Sequence, residues 1–272
     1  MRLPAAGATS VASTPAGSSA PTADTAITPT PADALLASAL TLAQDRPEEL
    51  SVADLADHVG YSPFHFSRLF THRLGIGPGR FLTALRIDRA KRLLLEDTES
   101  VIDIAAAVGF DSLSSFSRRF SATVGVPPGQ LRRLAEKISD RPPLPFSLLR
   151  PGPGSVRVDL ELPEHVGARG DPHIWIGWYP QPAPIGLPRS GTLVSGVQHV
   201  DLPLCPGAPH LLGFAVPAQA DAMDQLVPQD PVVAIAPGPL AAGSRVTLAF
   251  SPAQSAQRPV PLLTALPSLC SR

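Results

Sequence analysis

Residues 51–70 read SVADLADHVGYSPFHFSRLF, and residues 100–120 read SVIDIAAAVGFDSLSSFSRRF. The second stretch repeats the first. Ser51-Val52-Ala53-Asp54-Leu55-Ala56 returns as Ser100-Val101-Ile102-Asp103-Ile104-Ala105, 49 positions on. Phe66-Ser67-Arg68-Leu69-Phe70 returns as Phe116-Ser117-Arg118-Arg119-Phe120, 50 positions on, and Gly75 and Pro78 return as Gly125 and Pro128, also 50 on. The difference places one inserted residue in the turn after Gly109. A period of this length, built from short helical patterns, marks two copies of one supersecondary unit.

Each copy reads the same way. Ser51 caps a short helix, Val52 to Val59, whose apolar positions are Val52, Leu55, Ala56 and Val59. Gly60 stands where a left-handed residue ends it. Ser62 caps again, with Pro63 at the first helical position, and Phe64 to Arg73 forms the next helix. Two short helices joined by a tight Gly-containing turn make a helix-turn-helix. In the second copy Ser100 caps, Gly109-Phe110 replaces Gly60-Tyr61, and Asp111 or Ser112 caps Leu113 to Ala122. A long basic helix, about Arg80 to Leu95, joins the copies. A last helix, about Gly129 to Ile138, carries Arg132, Arg133 and Lys137. A support helix, Asp33 to Gln44 with Asp33 as its cap, precedes them all.

The outward faces of the second helices carry the chemistry. A recognition helix packs one side and shows the other to base edges. Phe66, Leu69 and Phe70 point inward in the first copy, leaving Phe64, His65, Ser67 and Arg68 outside. Phe116 and Phe120 point inward in the second, leaving Ser114, Ser115, Ser117 and Arg118. Arg suits a bidentate contact to guanine, and Ser serves base edges or phosphates. Arg68 and Arg118 are the expected base readers, and Arg119, Arg73, Arg80 and Arg132 the expected phosphate contacts. His58, His65 and His72 recur at seven-residue steps but lack the further ligand that a metal centre needs.

The Ile104-Ala105, Val108-Gly109-Phe110, Phe116-Ser117-Arg118-Arg119-Phe120, Gly125 and Pro128 series resembles the signature of the AraC/XylS family of transcription regulators. The resemblance covers about residues 32–137. It implies a seven-helix domain whose two recognition helices enter successive major-groove segments. It also implies that the DNA-binding part usually comes last in the chain, whereas here a further half follows it.

That half changes period. Val156, Val158, Leu160 and Leu162 alternate with Arg157, Asp159 and Glu161, as on a half-buried strand. Further strands are expected at Ile174–Trp178, Leu193–Val200, His210–Val216, Val232–Ala236 and Arg245–Phe250, with Pro and Gly in every gap. Of Trp175, Trp178 and Tyr179, the first and last should share one sheet face and Trp178 the other. The expected fold class is α+β in two domains, an all-α double helix-turn-helix domain followed by a small all-β, sandwich-like one. The expected boundaries are a disordered tail at 1–31, the helical domain at 32–138, a Pro-rich linker at 139–154, the β domain at 155–252 and a tail at 253–272.

Composition narrows the function class. The 272-residue chain has a net charge of −1. Residues 46–137 hold thirteen Lys and Arg against eleven Asp and Glu, a net of +2, so non-specific DNA affinity should be modest. Cys205 and Cys270 show no ligand spacing, which argues against a disulfide scaffold or zinc site and fits a cytoplasmic, nucleoid-associated setting. No leader is apparent and no run of about 18 apolar residues exists. Nucleophile-elbow, zincin, phosphate-loop and dinucleotide motifs are missing, so neither an enzyme nor a cofactor is expected. The expected partner is double-stranded DNA, with RNA polymerase and a small-molecule effector at the C-terminal half as further candidates, and no membrane. The rival reading is an interaction or ligand-binding module on a helix-turn-helix scaffold that no longer reads DNA.

Overall fold

The computed structural model describes residues 30–96, 99–140, 144–168 and 170–253. Of the tails expected at 1–31 and 253–272, residues 1–29 and 254–272, including Cys270, lie outside them.

The helical half runs α1 (Pro31–Asp45), α2 (Val52–His58), α3 (Pro63–Leu74), α4 (Pro78–Glu96), α5 (Val101–Ala107), α6 (Leu113–Val124) and α7 (Pro128–Asp140). The register of the repeat is kept in three dimensions. α2 and α5 start 49 residues apart, and α3 and α6 start 50 apart. The caps are local and explain the boundaries. Ser51 and Ser100 accept from the amides of Asp54 and Asp103, and Ser62 and Ser112 from those of His65 and Ser115. Ser112, not Asp111, is thus the cap of α6. α1 is also corrected at its start. Thr30 is its N-cap, and Asp33 sits at the third helical position, returning a hydrogen bond to Thr30.

The other half is built on two sheets. Six antiparallel strands run in the order β1 (Phe146–Leu148), β4 (Ser190–Ser195), β3 (His173–Tyr179), β6 (His210–Val216), β7 (Val232–Ile235) and β9 (Ser251–Pro252). Three more, β5 (His199–Pro203), β2 (Ser155–Glu161) and β8 (Arg245–Ala249), form the second sheet, with β2 and β8 parallel. Short helices α8 (Glu164–Gly167) and α9 (Ala222–Leu226) interrupt the strands.

Three features differ from the sequence expectation. The single strand at Leu193–Val200 is two strands, because Gly196 takes a φ of +67° and turns the chain from one sheet to the other. Phe146–Leu148, expected within a linker, pairs along β4. α9 packs on α7 and α4 of the helical half rather than within the sandwich.

The large sheet has no free face. On one side Ile174, Ile176, Trp178, Leu211 and Ala215 meet Val156, Val158, Leu202 and Leu248 of the small sheet. On the other side Trp175, Leu193, Phe214 and Val233 join Phe116, Phe120, Val126, Leu131 and Ile138 of the helical half in one core. Trp175 and Trp178 therefore face opposite ways, as strand alternation requires. The Trp175 ring lies over the paired Gly177 and Gly191, where a Cβ on Gly191 would sit 2.4 Å from the ring. Phe146 stacks beside it at 5.8 Å. Burying each such side chain contributes about 1.5–3 kcal/mol, so the helices and sheets are joined by a substantial interface.

Candidate nucleic-acid interface

The two helix-turn-helix units are built by matched aromatic wedges. Phe66, Phe70 and Phe81 form a chain of edge and tilted contacts at 5.4–5.5 Å, all essentially buried. Phe110, Phe116 and Phe120 do the same at 5.3–5.5 Å in the second unit. With these faces anchored, the opposite faces of α3 and α6 are turned to solvent. Phe64, His65 and Arg68 are exposed on α3, and Ser114, Arg118 and Arg119 on α6, while Ser67, Ser115 and Ser117 are half-buried.

The two faces are organised differently. Phe64 is 73 % exposed, and the Arg68 guanidinium lies 5.8 Å over its ring, so a cation–π contact restricts Arg68 before any ligand arrives. Tyr61 meets the His65 ring edge-on at 4.7 Å. The corresponding Phe110 turns to Phe116 instead, and Ser112 and Ser114 approach at 3.4 Å. The extra residue in the second turn separates Phe110 from the start of α6.

The basic residues divide by what they hold. Arg80, Arg118 and Arg119 are exposed, Arg119 reaching the Thr83 hydroxyl at 3.4 Å. Arg73 pairs with Asp33 at 3.1 Å, so part of its charge is already answered. Arg132 is a correction. Its Nε donates to the Leu94 carbonyl at 2.8 Å and its Nη2 to the Glu99 carbonyl at 2.6 Å. It closes the end of α4, whose last carbonyls lack helical partners, and is committed to the protein.

Sequence reasoning missed Arg86. Its Nε donates to the Pro47 carbonyl at 2.8 Å, Nη2 to that of Leu50 at 2.9 Å, and Nη1 to that of Gly109 at 3.1 Å. Burial lowers its pKa from the usual arginine value. One guanidinium thus joins the segment before α2 to the turn before α6. Nearby, a Cβ on Gly109 would lie 2.4 Å from the Glu48 carbonyl oxygen, so the units touch backbone to backbone. In sequence Arg86 reads only as one more basic residue of a helix that also carries Arg89, Lys91 and Arg92.

A helix-turn-helix domain family matches residues 55–134. YobQ of Bacillus subtilis, an uncharacterized HTH-type transcriptional regulator, is 37 % identical over 81 residues, 30 % of this chain and 34 % of its own length. The HTH-type transcriptional regulator Rv1931c of Mycobacterium tuberculosis is 37 % identical over 82 residues, 30 % of this chain and 32 % of its own. A transcriptional regulator structure from Chromobacterium violaceum, titled as having an AraC-type DNA-binding domain, is 33 % identical. It covers 37 % of this chain and 90 % of its own, with a TM-score of 0.35. Residues 55–134 are a helix-turn-helix domain. The match spans about a third of these curated relatives' length and leaves the β half of this chain outside it. The solved DNA-binding domain of AdpA, in complex with a target DNA, is 30 % identical, covering 39 % of this chain and 96 % of that one at a TM-score of 0.35.

The described residues contain no helix long and apolar enough to cross a membrane. Trp175, Trp178 and Tyr179 are all at most 2 % exposed and belong to the core.

Proposed function

We propose that this chain is a sequence-specific DNA-binding transcription regulator in which α3 and α6 each read one short major-groove segment. The carrying observation is the pair of exposed helix faces bearing Arg68 and Arg118 at equivalent positions of two matched scaffolds. Each arginine can fork to the two acceptors of a guanine edge. Arg80 and Arg119 supply phosphate contacts that position without specifying. Phe64 and His65 stand against Leu113, Ser114 and Ser115 in the other unit, so the two halves of the site should differ and the site should be asymmetric. One chain holds both readers, and a symmetric dimer is not needed for a two-part site.

Selection from a random duplex library tests this. Enrichment of one asymmetric two-part sequence is expected, with binding lost in Arg68→Ala plus Arg118→Ala. A library that shows no enrichment overturns the proposal.

A further inference from the structure

The segment between β3 and β4, residues 180–189, belongs to neither reading unit, yet it touches both. Pro180, Pro182, Pro184 and Pro188 restrict its backbone. Its own hydrogen bonds fold it back. Gln181 Nε2 donates to the Ile185 carbonyl at 2.9 Å, and the Arg189 amide to that of Trp178 at 2.8 Å.

The tip of this loop reaches the end of α3 and the end of α6. Pro182 packs on Gly75, the left-handed C-cap of α3, so closely that a Cβ there would meet its ring at 2.4 Å. Ala183 and Ile185 are buried in the core of the first unit with Phe70, Leu74 and Phe81. One residue later the loop changes units. The Gly186 amide donates to the Thr123 carbonyl of α6 at 2.9 Å. That carbonyl lacks a helical partner, since the residue four positions on is Pro127, which has no N–H.

We propose that residues 180–189 are a brace, by which the β half fixes the distance and phase between the two reading helices so that only one spacing of the two DNA segments is bound. The inference rests on the DNA-reading proposal above. The Arg86 junction holds the turn entering α6, and the brace holds its far end and that of α3. Together they oppose rotation of one unit against the other about α4. One added base pair moves the second DNA segment by about 3.4 Å along and about 34° around the duplex, which two braced helices cannot follow.

The test uses the full chain in two versions, Gln181→Ala and residues 181–187 replaced by a Gly-Ser segment of equal length. Binding is measured to the selected site, to the same site with one base pair inserted or removed between its halves, and to each half alone. The native chain should lose about tenfold or more on altered spacing. The brace variants should lose this discrimination while binding half-sites as the native chain does. Native-like discrimination in both variants, or tolerance of altered spacing by the native chain, overturns the brace. If no DNA binds at all, the function proposal has failed and the brace is judged by distance. Spin labels at His72→Cys and Ile102→Cys, with Cys205→Ser and Cys270→Ser, should show a distribution that broadens in the variants. An unchanged distribution overturns it.

Discussion

The Arg86 guanidinium donates to the Gly109 carbonyl at 3.1 Å, across 23 residues of sequence and between two helix-turn-helix units. The same group holds the carbonyls of Pro47 and Leu50 on the other unit. A guanidinium can do this because its donors lie in a rigid planar fork. The two units are thus tied by one side chain from the helix between them.

Removing that side chain leaves the carbonyls of Pro47, Glu48, Leu50 and Gly109 without this donor. Arg86→Ala should lower unfolding stability by about 2–4 kcal/mol. Arg86→Lys should recover less than half of this, because an ammonium cannot reach all four at once. Urea unfolding of the native chain and both variants measures the difference.

The two turn glycines should respond unequally. Gly60 and Gly109 have φ of +72° and +79°, but a Cβ at Gly60 meets nothing, whereas one at Gly109 meets the Glu48 backbone at 2.4 Å. Gly60→Ala should cost about 1–2 kcal/mol from the left-handed backbone alone. Gly109→Ala should cost clearly more, since backbone must move. Equal losses in denaturant midpoints would contradict the close approach.

The proposed base readers and phosphate contacts should separate by salt. Arg68→Ala and Arg118→Ala should each lower affinity for the selected site by about 1–3 kcal/mol and relax preference at one position. Arg80→Ala should weaken all sequences alike and reduce the slope of log affinity against log salt by about 1. Titrations at three or more salt concentrations give both quantities.

His173 makes stability fall on mild acidification. Burial at the start of β3 lowers its pKa below the ordinary 6.5. The unfolded chain then binds the proton more readily than the folded one, so this contribution is complete above about pH 6.5 and is lost as pH falls below it. Thermal unfolding from pH 8 to pH 5 should show a slope that His173→Asn reduces.

The helical half was legible because its signals are local. Ser51, Ser62, Ser100 and Ser112 each cap within three residues, and the shift from 49 to 50 placed the extra residue before α6. Alternation likewise set Trp175 and Trp178 on opposite faces. The failures are nonlocal. An apolar run from Leu193 onward reads as one strand until Gly196 takes a positive φ and sends Val200 to another sheet. Arg132 and Arg86 look like surface cations until the carbonyls they hold are brought to them by folding. Nothing near Phe146 tells that it will stack on Trp175, 29 residues away.

The core that contains Ile138 and Val126 together with Trp175 and Phe214 makes each half the cover of the other. A gene fragment ending at residue 140 would encode the readers with their inner side wet and greasy. One starting at residue 144 would encode a sheet with the same defect in mirror image. Neither half can be cut away at that point with its apolar face still covered.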